Sequence, residues 1–192
     1  MELPCFEPRL EPSDAAGRTD RLTFTTFLRS KLESVLGRGG AEPRVTTLYY
    51  PDYLAYTTVV FDRIGRGEKT VKFVAGIDAA TGRAGEVDVT IPEIETRTAP
   101  DGRIVPVSVD EREAEETWDD WLFGYINRKY RPVKRPETSL DRLELVYTPY
   151  YVVDYGEDGD RYAISSLTKQ TELLEDIEPL ADAYREQPEP ET

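Results

Sequence analysis

The side chains that could do chemistry in this chain are almost all carboxylates. It has 38 acidic and 24 basic residues, no histidine and one cysteine, Cys5. Without histidine there is no imidazole base, Ser-His or Cys-His pair, or His metal ligand, and one thiol cannot form a metal cluster or an intramolecular disulfide. Asp119 and Asp120, with Glu115 and Glu116 one turn earlier, could support acid–base or magnesium chemistry. Because 38 acids produce such pairs by chance, a carboxylate-dependent enzyme is the alternative, and we predict no catalytic residue, cofactor or metal site.

Two short stretches have the composition of ligand-binding loops but not the required spacing. In "GRGEKT" (Gly65–Thr70), Glu68 separates the glycine from the lysine, and no helix is predicted to follow. In "DYGEDGD" (Asp154–Asp160), a calcium loop would need a liganding oxygen at Gly156 and a bidentate Glu at the twelfth position. Both stretches are predicted to be hairpin turns.

One stretch, "NRKYRPVKR", is basic in an otherwise acidic chain. It concentrates five of the 24 basic residues in eight positions: Arg128, Lys129, Arg131, Lys134 and Arg135. These cations fit a helix C-terminus with salt bridges to nearby acids. They also fit a docking patch for a phosphate, a nucleotide ligand or an acidic protein. Nucleic acid is disfavoured as a partner, because high salt removes the counterion release that drives its binding.

The net charge of −14, together with 18 Arg against only 6 Lys, indicates a surface adapted to a salt-rich cytoplasm. Carboxylates retain water and cations there, and high ionic strength screens their repulsion. Heat adaptation would be expected to raise Lys together with Glu. No secretory signal and no apolar run of 18 residues is apparent, so we expect a cytoplasmic protein without a membrane span.

Two tyrosine clusters, "LYYPDYLAY" and "LVYTPYYVV", each contain a proline at the head of a β-rich stretch. Pro51 and Pro149 cannot donate a ladder hydrogen bond, so they predict strand entrances, bulges or edges. The rings could pack between the sheet and the helices, or form a partly exposed surface that grips a partner. The residues concerned are Tyr49, Tyr50, Tyr53, Tyr147, Tyr150 and Tyr151.

Three helices are predicted around these strands. Apolar spacing predicts the first from Asp20 to Leu36. The second follows a capping box formed by Ser108 and Glu111, has an acidic start and a basic end, and stops at Pro132. One face of this second helix is marked by Ala114, Trp118, Trp121, Leu122, Tyr125 and Lys129. The C-terminal "TELLEDIEPLADAYRE" is helical in pattern, with Pro179 breaking or restarting the helix.

The two tyrosine clusters suggest an internal repeat. Leu48, Tyr49, Pro51 and Tyr53 match Val146, Tyr147, Pro149 and Tyr151 at identical spacing. We therefore predict an α+β fold of two related helix-plus-antiparallel-hairpin units, forming one pseudo-twofold domain or two small domains. The expected segments are an extended N-terminal arm (1–18), a first α-β-β unit (19–107), a second unit with a C-terminal helix (108–186) and a disordered acidic tail (187–192).

The stretch "KFVAGIDAATGR" resembles the closing hairpin of PepSY-type domains, in which a helix precedes a hairpin whose last strand runs into a "vDxxTG" turn. Asp78, Thr81 and Gly82 match that signature. The resemblance covers about residues 20–91 and is degenerate in 110–170, where "SSLTKQTE" lacks both the Asp and the Gly. It implies a non-catalytic module that binds or regulates other proteins.

These patterns together predict a non-catalytic protein-binding or scaffolding module. Its partner would be another protein or a second copy of the chain. Tyrosine-bearing strand edges would make the contact, and the basic stretch would set its orientation. A ligand- or nucleotide-binding regulator that uses the basic stretch is the other alternative.

Overall fold

The computed structural model describes residues 1–19, 43–63, 67–100, 102–156 and 160–187, and it is a mixed α+β protein. The described residues form three α-helices, a short 3₁₀ helix and eight strands. The helices are α1 (Pro12–Thr19), α2 (Glu111–Lys129) and α3 (Glu178–Arg185), with the 3₁₀ helix at Leu174–Asp176. The strands are β1 (Glu2–Phe6), β2 (Arg44–Arg63), β3 (Gly67–Asp78), β4 (Ala84–Glu86), β5 (Ile94–Thr98), β6 (Glu137–Asp154), β7 (Arg161–Ser165) and β8 (Thr171–Leu173).

The strands form one mostly antiparallel sheet. Six lie in the order β4-β3-β2-β6-β1-β5, while β7 pairs with β6 and β8 pairs with β7. β1 runs parallel to β6, whereas it is antiparallel to β5. The two longest strands, β2 and β6, therefore lie in the interior of the sheet.

Contacts divide the chain into two compact units that are not continuous in sequence. The first consists of Met1–Tyr50, Glu93–Val105 and Tyr147–Thr192, and the second of Pro51–Pro92 and Pro106–Val146. Each unit therefore takes segments from both of the predicted sequence halves. In the second unit, the core lies between α2 and the β2–β3 hairpin, and it includes Trp118, Leu122 and Ile77.

The sequence of α2 favours a helix because it supplies a capping box at the start and an apolar face along the length. The Asp110 side chain accepts a hydrogen bond from the Glu113 N–H at 2.8 Å, and the Glu113 carboxylate accepts one from the Asp110 N–H. The capping box is thus two residues later than predicted. Ala114, Trp118, Leu122, Tyr125 and Ile126 form the buried face, so the predicted apolar stripe is largely confirmed.

Pro51 lies inside β2, at the point where the strand changes partner. From Asp52 onward β2 pairs with β3, whereas Tyr49 forms a parallel bridge with Ile104. The Pro51 carbonyl accepts a hydrogen bond from the Ala79 N–H at 3.1 Å, just after β3 ends. The residue without an N–H therefore sits where the ladder is interrupted.

Pro149 occupies the same kind of position in β6. From Tyr150 onward β6 pairs with β7, whereas Tyr147 pairs in parallel with Cys5 of β1. The Pro149 carbonyl accepts a hydrogen bond from the Ser166 N–H at 3.0 Å, just after β7 ends.

The turn after β3 is closed by backbone and side-chain hydrogen bonds. The Gly82 N–H donates to the Asp78 carbonyl, and the Asp78 N–H donates to the Arg83 carbonyl, both at 2.8 Å. The Asp78 carboxylate accepts hydrogen bonds from the N–H groups of Ala80 and Thr81. Gly82 has a φ of 73°, a conformation that glycine adopts without strain.

The turn after β7 has the same hydrogen-bond pattern without the Asp and Gly. The Lys169 N–H donates to the Ser165 carbonyl at 2.9 Å, and the Ser165 N–H donates to the Gln170 carbonyl at 3.0 Å. The Ser165 hydroxyl accepts from the Thr168 N–H, and Lys169 has a φ of 61°.

The tyrosines predicted as a contact surface lie on interior strands rather than sheet edges. Five of them, Tyr49, Tyr50, Tyr53, Tyr147 and Tyr151, are buried, and Tyr150 is partly exposed. The Tyr151 hydroxyl donates to the Leu10 carbonyl at 2.7 Å, and burial raises the pKa of Tyr151 to about 12. The expectation of tyrosine-bearing strand edges was therefore wrong, because pairing between distant segments places β2 and β6 inside the sheet.

The ends of the chain differ from the predicted pattern in detail. Within the predicted extended N-terminal arm, Glu2–Phe6 is a paired strand, β1, whereas Pro12–Thr19 is a helix, α1. Thr171–Leu173 is a strand, and Pro179 lies at the start of α3, so the helix begins there. The helix predicted from Asp20 to Leu36 lies outside the described residues. No helix in the described part of the chain is both long and apolar enough to span a bilayer.

Candidate functional site

The exposed residues of α2 change in charge along the helix. Glu116, Asp119 and Asp120 are exposed in its first half, and Arg128 is exposed near its end. Between them lies Phe123, which is 62% exposed, although most rings of this size are buried. We call this surface, Glu116 to Arg128 with the basic stretch through Arg135, the α2 face.

The basic stretch is held against the end of β2. The Val133 N–H donates to the Asp62 carbonyl at 3.4 Å, and the Lys134 ammonium lies 3.5 Å from the Asp62 carboxylate. Val133 is itself 57% exposed, so a second apolar side chain stands among the cations.

Arg131 occupies a backbone conformation that most residues avoid. α2 ends with Tyr130 as its C-cap, and Arg131 follows with a φ of 47°. Glycine is the usual residue at this position of a helix end, because a Cβ in the left-handed region costs about 1–2 kcal/mol. A cation is therefore held at this point of the surface at a cost in backbone strain.

Lys129 differs from the other cations because it is committed to partners within the chain. Its ammonium donates to both carboxylate oxygens of Glu86, at 2.7 and 2.8 Å, and to the Tyr125 hydroxyl. The hydrogen bonds from Lys129 and Tyr125 lower the pKa of Glu86, and those with Glu86 and Tyr125 raise the pKa of Lys129. Burial, followed by the hydrogen bond with Glu86, raises the pKa of Tyr125. Lys129 and Tyr125 therefore hold their protons at neutral pH, which does not suit either to act as a base.

Aromatic rings surround this lysine. Trp121 stacks on Tyr125 at 4.6 Å between centroids, and Phe73 lies 5.2 Å from the same ring. The Lys129 ammonium lies 4.9 Å from the Tyr125 centroid and 5.7 Å from that of Tyr130. These cation–π contacts add to the ion pair and fix the end of α2 against the hairpin.

The remaining arginines of the stretch are exposed. Within the described residues, no hydrogen bond or ion pair is found for Arg128, Arg131 or Arg135. The guanidinium of Arg128 lies over Gly124, where an added Cβ would meet Nη1 at 3.0 Å. The predicted salt bridges therefore account for Lys129 and Lys134 but leave the three arginines open to an external partner.

A shallow concavity of about 690 Å³ lies beside the first half of α2. Its walls are Glu115, Glu116, Trp118, Asp119, Asp120 and Leu140. All four carboxylates are exposed, and Glu116 is paired with Arg112 at 2.6 Å. Among the described residues, no group of three or more Cys, Asp or Glu side chains is placed to hold a metal ion. Acid–base catalysis by carboxylates favours an enclosed site that restricts water, and this concavity is open.

Cys5 belongs to the first compact unit, whereas α2 belongs to the second. It is fully buried, and burial raises the pKa of its thiol to about 11. A thiolate nucleophile requires a lowered pKa and solvent access. Cys5 has neither, so its role is packing.

Comparisons with known proteins add no relative: no family model, no curated protein and no solved structure matches this chain. Sequence reasoning identified the basic stretch but missed Phe123 and Glu86. Phe123 carries a signal that could have been used, since it is a large apolar residue outside the Ala114–Trp118–Leu122–Tyr125 stripe. Glu86 carries none, because its pairing with Lys129 depends on tertiary structure.

Proposed function

We propose that this chain is a non-catalytic protein-binding or scaffolding module and that its contact surface is the α2 face. The observation that carries the proposal is Phe123, whose ring is 62% exposed. Along the chain it lies between exposed carboxylates and exposed arginines, and the arginines have no hydrogen bond or ion pair within the described residues. Protein interfaces are enriched in aromatic residues and Arg, which supply buried area and bidentate hydrogen bonds. The buried tyrosines, which the sequence analysis placed in the contact surface, are not part of the contact proposed here.

The state of the ionisable groups also supports binding rather than catalysis. Lys129 and Tyr125 have raised pKa values and hold their protons, and the Cys5 thiol is buried with a pKa of about 11. The strained backbone at Arg131 lies in the same surface. Strained positions persist where the surrounding structure enforces them and are concentrated at functional sites.

Removing the three open cations tests the proposal. The variant replaces Arg128, Arg131 and Arg135 with Gln. Wild type and variant are each immobilised and exposed to a native extract in roughly molar salt, and the bound proteins are identified by cross-linking and mass spectrometry. We expect the variant to lose the proteins that wild type retains, because guanidinium groups form the charged part of the contact.

A matched control removes the same charge elsewhere. Arg44, Lys72 and Arg83 are exposed cations outside the α2 face, and replacing them with Gln should leave the retained proteins unchanged. If the α2-face variant retains the same proteins as wild type and the control, the proposed contact surface is wrong.

The same open arginines support a second candidate, a regulator that binds an anionic ligand such as a nucleotide. The three arginines line neither the concavity beside α1 nor the one beside α2, and all three are exposed, so the ligand would meet them at the protein surface. Calorimetric titration with ATP distinguishes the two candidates. Binding that is lost in the three-arginine variant favours the regulator, and the absence of heat favours the protein-binding module.

We further propose that the chain arose by duplication. The Pro51 and Pro149 carbonyls accept hydrogen bonds from Ala79 and Ser166 in the same way. The turns after β3 and β7 share their hydrogen bonds at a constant offset of 87 residues, as does the pairing of β4 and β8 with the preceding strand. The parallel bridges Tyr49–Ile104 and Tyr147–Cys5 extend the correspondence to the segments that precede α2 and α1. On this alignment Ala79 matches Ser166.

A further inference from the structure

We infer that β5 pairs with the β5 strand of a second copy of this chain, antiparallel and centred on Thr96. β5 shares no residue with the α2 face, so this inference goes beyond the proposed function. It predicts a dimer with twofold symmetry, in which both subunits contribute the same strand and the sheet continues across the contact.

β5 is an exposed edge strand. It ends the sheet order and, among the described residues, pairs only with β1. Four of its five residues are exposed, including Ile94 at 40%. An edge strand presents a row of unpaired N–H and C=O groups, and the partner that satisfies them is another extended backbone. We call the side of β5 that faces away from β1 its open side.

Hydrogen bonds at the two ends of the β1–β5 pair show which residues face β1. The Glu7 N–H donates to the Glu93 carbonyl at 2.9 Å. At the other end, the Ala99 N–H donates to the Met1 carbonyl at 2.8 Å. Hydrogen-bonded and non-hydrogen-bonded positions alternate along an antiparallel pair. The backbone groups of the odd-numbered residues from 93 to 99 therefore face β1.

The even-numbered residues consequently direct their N–H and C=O groups to the open side. These residues are Ile94, Thr96 and Thr98. The partner strand agrees with this alternation, because Pro4, which has no N–H, lies opposite Thr96. The open side therefore offers three donors and three acceptors at regular spacing.

The sequence of β5 is self-complementary about Thr96. In an antiparallel pair centred there, Glu95 of each copy lies opposite Arg97 of the other. The outward backbone groups also meet in register, which gives about six hydrogen bonds between the two strands. A pair centred on Glu95 or Arg97 would instead place like charges opposite each other, which is destabilising.

The existing ion pair of β5 is kept in this arrangement. The Arg97 Nε donates to the Glu95 carboxylate at 2.6 Å, and the two side chains are 37% and 45% exposed. Across the twofold axis, each carboxylate would lie between two guanidinium groups, and each guanidinium between two carboxylates. The charges therefore set the register without the loss of a contact within the chain.

Prolines limit the strand symmetrically about the same residue. Pro92 and Pro100 each lie four positions from Thr96, and both fall on the open side, where their missing N–H ends the ladder. In the centred register the two prolines lie opposite each other, outside the paired segment. A register centred on Ile94 or Thr98 would place a proline opposite Thr96 and lose hydrogen bonds.

This self-complementarity favours a second copy over an unrelated strand, because β5 itself supplies the opposite charges and the matching ends. At about 3.4 Å per residue, five residues make a contact about 17 Å long, which is small for a protein interface. We therefore expect a reversible dimer with a dissociation constant on the order of 100 μM.

The test is sedimentation velocity of the full chain from about 10 μM to 1 mM in about 0.15 M salt. The Debye length is then about 8 Å, which screens the repulsion between two chains of net charge −14 but not contacts at ion-pair distance. Wild type should dimerise. Thr96→Pro should dimerise at least tenfold more weakly, because it removes the central outward N–H but no hydrogen bond to β1.

Charge reversal in β5 tests the register. Glu95→Arg and Arg97→Glu each place like charges opposite each other, so each variant alone should dimerise at least tenfold more weakly. An equimolar mixture of the two should restore dimers, because each then complements the other. The double variant E95R/R97E should dimerise like wild type, since its strand is again self-complementary.

Matched controls make the same kinds of change outside β5. Leu173→Pro places a proline on the edge strand β8, where the φ of −64° suits proline. Glu172→Arg and Arg83→Glu reverse exposed charges. All three should dimerise like wild type, and circular dichroism should show every variant folded.

A monomeric wild type at 1 mM, or a mixture of the two charge variants that stays monomeric, overturns the inference. The charges and prolines of β5 would then serve to keep the edge unpaired. The proposed function is judged separately, since binding of extract proteins by the three-arginine variant does not depend on β5.

Discussion

Replacing Arg131 with Gly should make the fold more stable and should weaken the protein binding proposed for the α2 face. Arg131 has a φ of 47°, and glycine would remove a strain of about 1–2 kcal/mol. The greater freedom of glycine in the unfolded chain subtracts about 0.4–1 kcal/mol, and loss of a cation near the helix C-terminus subtracts about 0.3 kcal/mol. The net gain is roughly 0.5 kcal/mol, or about 1–2 °C in Tm for a chain of this size.

Two further variants separate backbone strain from charge. Arg131→Lys keeps both the charge and the strained conformation, so its Tm should stay close to that of wild type. Lys169→Gly is the matched control, because Lys169 is the other described non-glycine residue with positive φ, at 61°, and it lies outside the α2 face. Lys169→Gly should gain similar stability without changing which extract proteins are retained.

Thermal unfolding followed by tryptophan fluorescence, and binding of extract proteins to the same samples, measure the two effects. Trp118 and Trp121 both lie in α2, so the fluorescence reports on the element next to the substitution. A Tm for Arg131→Gly below that of wild type would refute the strain argument. If the Arg131→Gly variant retains the same extract proteins as wild type, the Arg131 side chain takes no part in the proposed contact.

Two other predictions concern the first compact unit. The Ser166 hydroxyl is fully buried and has no hydrogen-bond partner in the described part of the chain, and Ala79 holds the corresponding position after β3. Ser166→Ala should therefore raise the free energy of unfolding by about 1 kcal/mol in urea denaturation, and a loss of stability would contradict the unsatisfied hydroxyl. Burial raises the pKa of Cys5 from 9.0 to about 11. The contribution of the neutral thiol to the free energy of unfolding is therefore complete below pH 9 and is lost as pH rises through 11. This loss is at most about 2–3 kcal/mol. Between pH 8 and pH 10, the free energy of unfolding measured by denaturation should fall less steeply for Cys5→Ala than for wild type. The tyrosines titrate in both proteins, so equal slopes would contradict the raised pKa of Cys5.

Local signals in the sequence predicted the elements whose formation depends on neighbouring residues. The apolar spacing from Ala114 to Tyr125 and the charges at the two ends are enough to predict α2, because helix hydrogen bonds and side-chain neighbours lie within four residues. The two prolines were predicted at strand entrances, bulges or edges; they lie inside β2 and β6, at the points where these strands change partner.

The exposure of particular side chains was decided only by tertiary structure. The tyrosines of β2 and β6 are buried because distant segments pair on both sides of these strands, and a strand's own sequence does not specify its neighbours. Lys129 is bound because Glu86, 43 residues away in sequence, lies opposite it. Phe123 is exposed because the helix turns the Trp118 and Leu122 side into the core.

By itself, the sequence determined the composition, the helix pattern of α2 and the position of the basic stretch. The tertiary structure decided which cations are already paired and which remain open, and it moved the candidate contact from the tyrosines to the α2 face. The physical reason is range: periodicity and capping act within a few residues, whereas burial and ion pairing depend on contacts between segments far apart in the chain.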